Sequence, residues 1–175
     1  LKRVLNTGFY KPSKVIHTVS PSMDIQVASN FERLIFDVCS CDSNKTLKLM
    51  NDLNEYGEFK LENNELKKIK ENFCSESLSE TETKSVIEEV YKNERMLIDP
   101  HTAVAFGAVS KMSLEADTII LATAHPSKFS DVVMNKTSVK PELPDNLKNI
   151  LLEKEKYDKL PKNLKKIQNY ILERI

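Results

Sequence analysis

With 175 residues, 40% hydrophobic and 30% charged, the chain is long enough to bury a core of its own and too short for two ordinary domains. Its 26 Lys+Arg balance 26 Asp+Glu, which argues against a protein built to coat nucleic acid or an anionic membrane. No apolar run approaches the ~20 residues of a membrane-spanning helix, and Gly8, Gly57 and Gly107 cannot spell either Gly-rich phosphate loop.

In chain order, Val15 to Ser20 is a β-branched run that predicts a buried strand. Ser29-Asn30-Phe31-Glu32 has capping-box spacing ahead of Leu34, Ile35 and Val38, predicting a helix from Asn30 to Val38. Cys39, Cys41 and Cys74 are odd in number and complete no zinc pattern. No signal-peptide layout opens the sequence, so reduced thiols in a cytoplasmic setting are expected. From Asp42 to Asn93 the apolar residues recur at helical spacing: Leu47, Met50 and Leu53, then Leu61, Leu66, Ile69 and Phe73, then Val86, Ile87 and Val90. Three short amphipathic helices forming a peripheral lobe are predicted, with breaks at Tyr56-Gly57 and Ser75 to Glu80.

Asp99-Pro100 is a strong helix start, and the helix is expected to reach Ala116. Its small residues, among them Ala103, Gly107 and Ala108, suit close packing. Asp117 to Thr123 is a continuous apolar run, as in a strand covered on both faces of a parallel sheet. Ala124-His125-Pro126 breaks it, and a helix is expected from Ser127 to Asn135 with Phe129, Val132 and Val133 inward. The pattern α–β–α points to a helix-rich α/β chain forming part of an open, mostly parallel sheet. The tail, Lys136 to Ile175, holds ten Lys/Arg against six Asp/Glu, a net of +4. Within it Leu160 to Ile175 places Leu164, Ile167, Ile171 and Ile175 at helical spacing, read as a docking helix with a solvated lysine face. A nucleic-acid contact through this face is the competing reading, weakened by the neutral total charge.

Ligands of open α/β sheets sit beyond the carboxyl ends of the strands. Thr123 is therefore the first residue to place at a ligand, its neutral hydroxyl suited to a ring nitrogen. The alternative is a threonine satisfying nearby backbone. His125 is either a general base or a turn histidine bonded to backbone; His101, in a first helical turn, reads as neutral and structural. Asp24, Asn30 and Arg33 cluster at a loop–helix entry, where amides and an arginine could receive a phosphate; a solvated helix start is the alternative. Lys128 opens a helix and should point to water.

Five segments, in order, resemble threonine synthase, the pyridoxal-phosphate enzyme that converts O-phosphohomoserine and water to threonine and phosphate. They are Leu5-Asn6-Thr7-Gly8 with Tyr10-Lys11-Pro12, Ser20-Pro21-Ser22-Met23-Asp24-Ile25, Ser29-Asn30-Phe31-Glu32-Arg33-Leu34, Asp99-Pro100-His101-Thr102-Ala103-Val104, and Thr123-Ala124-His125-Pro126 with Lys128-Phe129. The family usually has a glycine where Ala105 or Phe106 stands. The resemblance implies the tryptophan-synthase β-like fold, with residues 1–41 and 94–135 in the cofactor domain, 42–93 a helical insertion lobe and 136–175 a C-terminal helical tail. It implies that Thr123 is the partner of the pyridine nitrogen, and it adds to the phosphate reading of Asn30 and Arg33. The family's Schiff-base lysine and cofactor-phosphate loop precede the matched region. The chain is thus expected to be the C-terminal portion of a threonine synthase, inactive alone and completed by an N-terminal portion in cis or in trans. A non-catalytic remnant or interaction module is the alternative.

Overall fold

Apolar side chains at helical spacing, closed off by a left-handed residue, account for most of the secondary structure. The computed structural model describes residues 1–112, 114 and 117–175, which separate into two units, Leu1–Glu142 and Leu143–Ile175. The first opens with α1 (Lys2–Thr7), ended by Gly8 at φ 77°, where a Cβ would press on the Leu61 carbonyl oxygen at 3.3 Å. β1 (Phe9–Tyr10) pairs antiparallel with β2 (Phe59–Lys60), Tyr10 opposite Phe59. Between them run α2 (Phe31–Val38) and α3 (Ser43–Tyr56), the latter closed by Gly57. Then come α4 (Asn63–Asn72), α5 (Glu80–Glu94), α6 (Pro100–Met112), a 3-10 turn (Pro126–Phe129) and α7 (Ser130–Thr137).

Two apolar cores organise this unit. In the first, the Tyr10 ring stacks between Phe31 and Phe59, with centroids 5.2 and 5.1 Å away. Its hydroxyl donates to the Gln26 carbonyl at 3.2 Å and accepts the Ala28 N–H at 2.9 Å, so this buried phenol leaves no polar atom stranded. Ile35 of α2 and Ile69 of α4 complete the packing, both fully buried. The second core gathers Ile87 and Val90 of α5, Ile98 just ahead of α6 and Ala103 within it, with Val132 of α7 packed against it. The small residues of α6 serve close approach as their composition predicts: a Cβ on Gly107 would lie 2.2 Å from Leu78 Cδ2.

The second unit holds two 3-10 turns (Asp145–Leu147 and Ile150–Leu152) and α8 (Leu164–Leu172). Asn163 starts α8 by accepting the Lys166 N–H at 3.1 Å. The Tyr170 hydroxyl donates to Asp158, which raises the phenol's pKa, and the Arg174 guanidinium sits 3.5 Å from the Tyr170 ring centroid. Leu164 and Ile171 are exposed, so within this unit the apolar stripe of α8 is uncovered.

Several sequence expectations need correction. Val15 to Ser20 and Asp117 to Thr123 are not strands: neither run joins a sheet ladder among the described residues, and Ile16 and Ile119 are 74% and 89% exposed. The open, mostly parallel sheet is accordingly not formed by the described residues, whose sheet is the antiparallel pair β1–β2. Ser29 does not cap α2; Asn30 occupies that position at φ −67°, ψ −24°, a helical rather than extended geometry that aims no side-chain oxygen at the first turn. The capping box stands instead at Ser79 and Glu82, its serine inside the predicted break at Ser75 to Glu80, and starts α5. The α6 helix is described to Met112, and the predicted end at Ala116 lies outside the described residues. The helix expected from Ser127 divides into the Pro126–Phe129 turn and α7, and α8 starts after Pro161 and Asn163 rather than at Leu160. No helix among the described residues is long and apolar enough to cross a membrane.

Candidate functional site

Thr18 to Asp24 is a short polar loop whose shape its own side chains set. The Asp24 carboxylate accepts both the backbone N–H and the hydroxyl of Thr18, each at 2.7 Å. Thr18 Oγ1 in turn accepts the Ser20 N–H at 3.1 Å, and Pro21–Met23 forms a 3-10 turn. Two other elements hold this loop. Glu80, in the first turn of α5, accepts the Val19 N–H at 3.0 Å; its ion pair with Lys84 and that N–H hold its carboxyl below the usual range. His101, in the first turn of α6, accepts the Ser22 N–H through Nε2 at 3.3 Å.

The α6 start is itself built around Asp99. One carboxylate oxygen accepts the His101 backbone N–H at 2.8 Å and lies 2.9 Å from ring Nδ1. The other takes the Thr102 N–H at 3.4 Å and the Thr102 hydroxyl. Asp99, His101 and Thr102 are all buried. The Asp99-Pro100 signal thus marks the helix start correctly, and His101 is the structural residue its position implied.

Across from the loop, Ser75–Leu78 and α1 form the second wall of a cleft of about 750 Å³, with Lys2, Arg3, Ser20, Ser22, Asp24 and Asn30 among its lining. The buried Ser75 hydroxyl on that wall has no hydrogen-bond partner among the described residues. Lys2 is paired with Glu76 at 2.5 Å, which depresses the Glu76 carboxyl. Arg3 donates to the Lys11 carbonyl and has no carboxylate partner among the described residues. Hydroxyls, loop amides and the Arg3 guanidinium are the groups of this opening that suit a small anionic ligand, beside the Asp24 and Glu76 carboxylates. Of the residues singled out for phosphate, Asp24 and Asn30 share this cleft. Arg33, exposed in the first turn of α2, is not among its lining residues.

Thr123 lies elsewhere. Thr118, Ile120, Ala122, Ala124 and Pro126 line a second cavity of about 380 Å³ against Met96–Asp99 and Phe106. Of this run Ile120 and Ala124 are half-buried, while Ile119, Leu121 and Thr123, which are not among the cavity's lining, are exposed. His125 is a turn histidine, its Nδ1 accepting the Ser127 N–H at 3.2 Å with the Ser127 hydroxyl 2.7 Å away. Lys128 is exposed. Thr18, Ser22, Glu80 and His101 were not read as one assembly from the sequence; only Asp99-x-His101 at a helix start hinted at it.

Comparison with known proteins gives a concordant result. A family profile described as "Threonine synthase, C-terminal" matches residues 102–171. Threonine synthase of Pseudomonas aeruginosa is 33% identical over 175 residues, covering 98% of this chain and 37% of that protein. That of Saccharomyces cerevisiae is 33% identical over 186 residues, covering 95% and 34%. A crystal structure of PLP-bound threonine synthase from Brucella melitensis superimposes with a TM-score of 0.81 at 35% identity, over 97% of this chain and 37% of that one. The yeast threonine synthase structure gives 0.79 at 30% identity, over 99% and 39%. The chain spans little more than a third of the length of the curated relatives it matches.

Proposed function

We propose that this chain, alike to threonine synthases along nearly its whole length and to their C-terminal family profile over residues 102–171, supplies the C-terminal portion of a pyridoxal-phosphate-dependent threonine synthase. The reaction would turn O-phosphohomoserine and water into threonine and phosphate. The observation that carries the reading is the superposition of 97% of the chain on a PLP-bound threonine synthase at 35% identity.

Pyridoxal phosphate needs an amine to carry it, a cradle for its phosphate and a partner for its ring nitrogen, and when bound it supplies the electron sink for the replacement. This chain offers the third. Thr123 presents an exposed neutral hydroxyl at the end of an apolar segment, able to donate to or accept from the ring nitrogen without forcing its protonation. The lysine and the phosphate loop belong to a complementary portion, in the same polypeptide or another, and this chain without them is inactive. The exposure of the apolar Ile16, Ile119 and Leu121 supports pairing of residues 15–20 and 117–123 as strands of an open parallel sheet once that portion is present. In the large cleft Asn30, with Arg3 of its lining, binds the substrate phosphate and Asp24 shapes the loop beside it, while Arg33, exposed in the first turn of α2 outside that lining, adds its charge. The residues divide as 1–41 and 94–135 in the cofactor domain, 42–93 as an inserted lobe and 136–175 as the tail. The three free thiols suit a cytoplasmic setting.

The test is the protein made with its complementary portion, in cis or by mixing. It should show the cofactor's absorbance band and release phosphate from O-phosphohomoserine, and Thr123→Val should shift the band and slow turnover. An unchanged band and turnover in Thr123→Val would remove the assigned contact. No cofactor band in the completed protein would remove the function.

A further inference from the structure

The loop that walls the large cleft is tied to α6 by one hydrogen bond, and that bond dictates the chemistry of a buried histidine. His101 is 7% exposed and Asp99 1%. Nδ1 lies 2.9 Å from Asp99 Oδ1, an atom that only accepts, so Nδ1 carries the proton. Nε2 lies 3.3 Å from the Ser22 N–H, a group that only donates, so Nε2 is bare. The two contacts together admit a single state of the ring, the neutral Nδ1–H tautomer. The Phe129 ring meets the imidazole edge-on at 4.9 Å and closes one side of it.

The other bonds of the loop cannot replace this one. Asp24–Thr18 fixes the loop's internal shape, and Glu80–Val19 anchors its entry to α5. Neither sets the distance between the 3-10 turn at Pro21–Met23 and α6. With Ser22 released, none of these bonds ties the turn to α6, and Ser20 and Ser22, lining residues of the cleft, lose that tether. We propose that His101 is a positioning residue for the cleft: held by Asp99 as the Nδ1–H tautomer, it clamps Ser22 across 79 residues of sequence and sets the width of the opening. The inference rests on the reading of this cleft as the substrate site. The ring touches neither substrate nor cofactor and acts through Ser22.

The experiment is ¹⁵N NMR of this chain with three variants, His101→Ala, His101→Asn and His101→Gln, using inorganic phosphate as the probe. In the parent, ring Nε2 should carry the signature of an unprotonated nitrogen. His101→Ala should speed Ser22 amide exchange about tenfold, the scale of one hydrogen bond, while the Ile87 amide stays protected. His101→Gln, whose side-chain oxygen reaches the Nε2 position, should restore most of the protection. His101→Asn can still bond Asp99 but falls short of Ser22, so it should lose Ser22 protection even where His101→Ala fails to fold. Phosphate should perturb the Asp24 and Asn30 amides in the parent and the Gln variant, and do so more weakly in the Asn variant. A ring protonated at Nε2, or Ser22 exchange unchanged in the Asn variant with Ile87 still protected, would overturn the clamp. If phosphate moves no cleft amide in the parent, the substrate-site reading falls, while Ser22 exchange still decides the clamp by itself.

Discussion

Asp99→Asn keeps one acceptor oxygen and turns the other into a donor at a side chain only 1% exposed. With the retained oxygen toward His101, the contacts at 2.8 and 2.9 Å survive. The new amide group then faces two donors of Thr102, its N–H at 3.4 Å and its hydroxyl. The hydroxyl can rotate to accept; the N–H cannot, and a buried donor left without an acceptor costs ~1–3 kcal/mol. The two surviving bonds also fall from charge-assisted to neutral strength, roughly another 1 kcal/mol. The total is about 3 kcal/mol, a large share of the ~5–15 kcal/mol by which domains are stable. With a urea slope of ~2 kcal/mol per molar, the unfolding midpoint should drop by about 1.5 M. Far-UV circular dichroism and tyrosine fluorescence at 25 °C would report it, since the chain has five Tyr and no Trp. Asp99→Ala, which removes all four acceptances, should cost at least as much. A midpoint for Asp99→Asn within about 0.3 M of the parent would refute the argument that Asp99 is a fully committed acceptor.

Other substitutions separate the remaining arguments. Ser79→Ala should cost about 1 kcal/mol by thermal unfolding, because Ser79 Oγ accepts the Glu82 N–H and Glu82 accepts the Ser79 N–H. Ser29→Ala, with the same motif and no cap, should change stability by less than about 0.5 kcal/mol. Gly107→Ala should gain ~1 kcal/mol of helix propensity but lose ~1–3 kcal/mol to the clash with Leu78, a net loss of about 1 kcal/mol. A more stable variant would show that Leu78 gives way. Glu82 is held down to about 2 by its bond to Lys111, then by the Ser79 N–H and hydroxyl, from an ordinary 4.5. A depressed carboxylate adds stability that is present above about 4.5 and lost as the pH falls through about 2. The parent should therefore lose stability faster than Glu82→Gln across that window in urea titrations, and parallel curves would show that the pairing does not titrate with unfolding.

Helices were legible where the evidence for them is local. The spacing of Leu47, Met50 and Leu53, of Leu66 and Ile69, and of Ile87 and Val90 marks α3, α4 and α5, and Asp99-Pro100 marks the start of α6. Even a local motif, however, needs the right backbone. Ser29-x-x-Glu32 and Ser79-x-x-Glu82 are the same signature, yet Ser79 lies extended at φ −76°, ψ 163° and caps. The chain enters α2 through a helical Asn30, its first turn already bonded from Phe31 to the Ala28 carbonyl, and Ser29 caps nothing.

The matched segments resemble threonine synthases, and the comparisons find the same likeness, at 33% identity over 98% of this chain for the Pseudomonas aeruginosa protein. Strands were a different matter. The apolar runs at 15–20 and 117–123 have the composition of strands, but a strand exists only as a member of a ladder, and neither run joins one among the described residues. The cleft has the same logic. Its loop is closed by Asp24 on Thr18, six residues apart, but it is hung from Glu80 and His101, 61 and 79 residues away. By itself the sequence determined which segments coil and which relatives they resemble. Only the tertiary structure decided which donors meet which acceptors, because hydrogen bonds between distant segments leave no period in the chain that makes them.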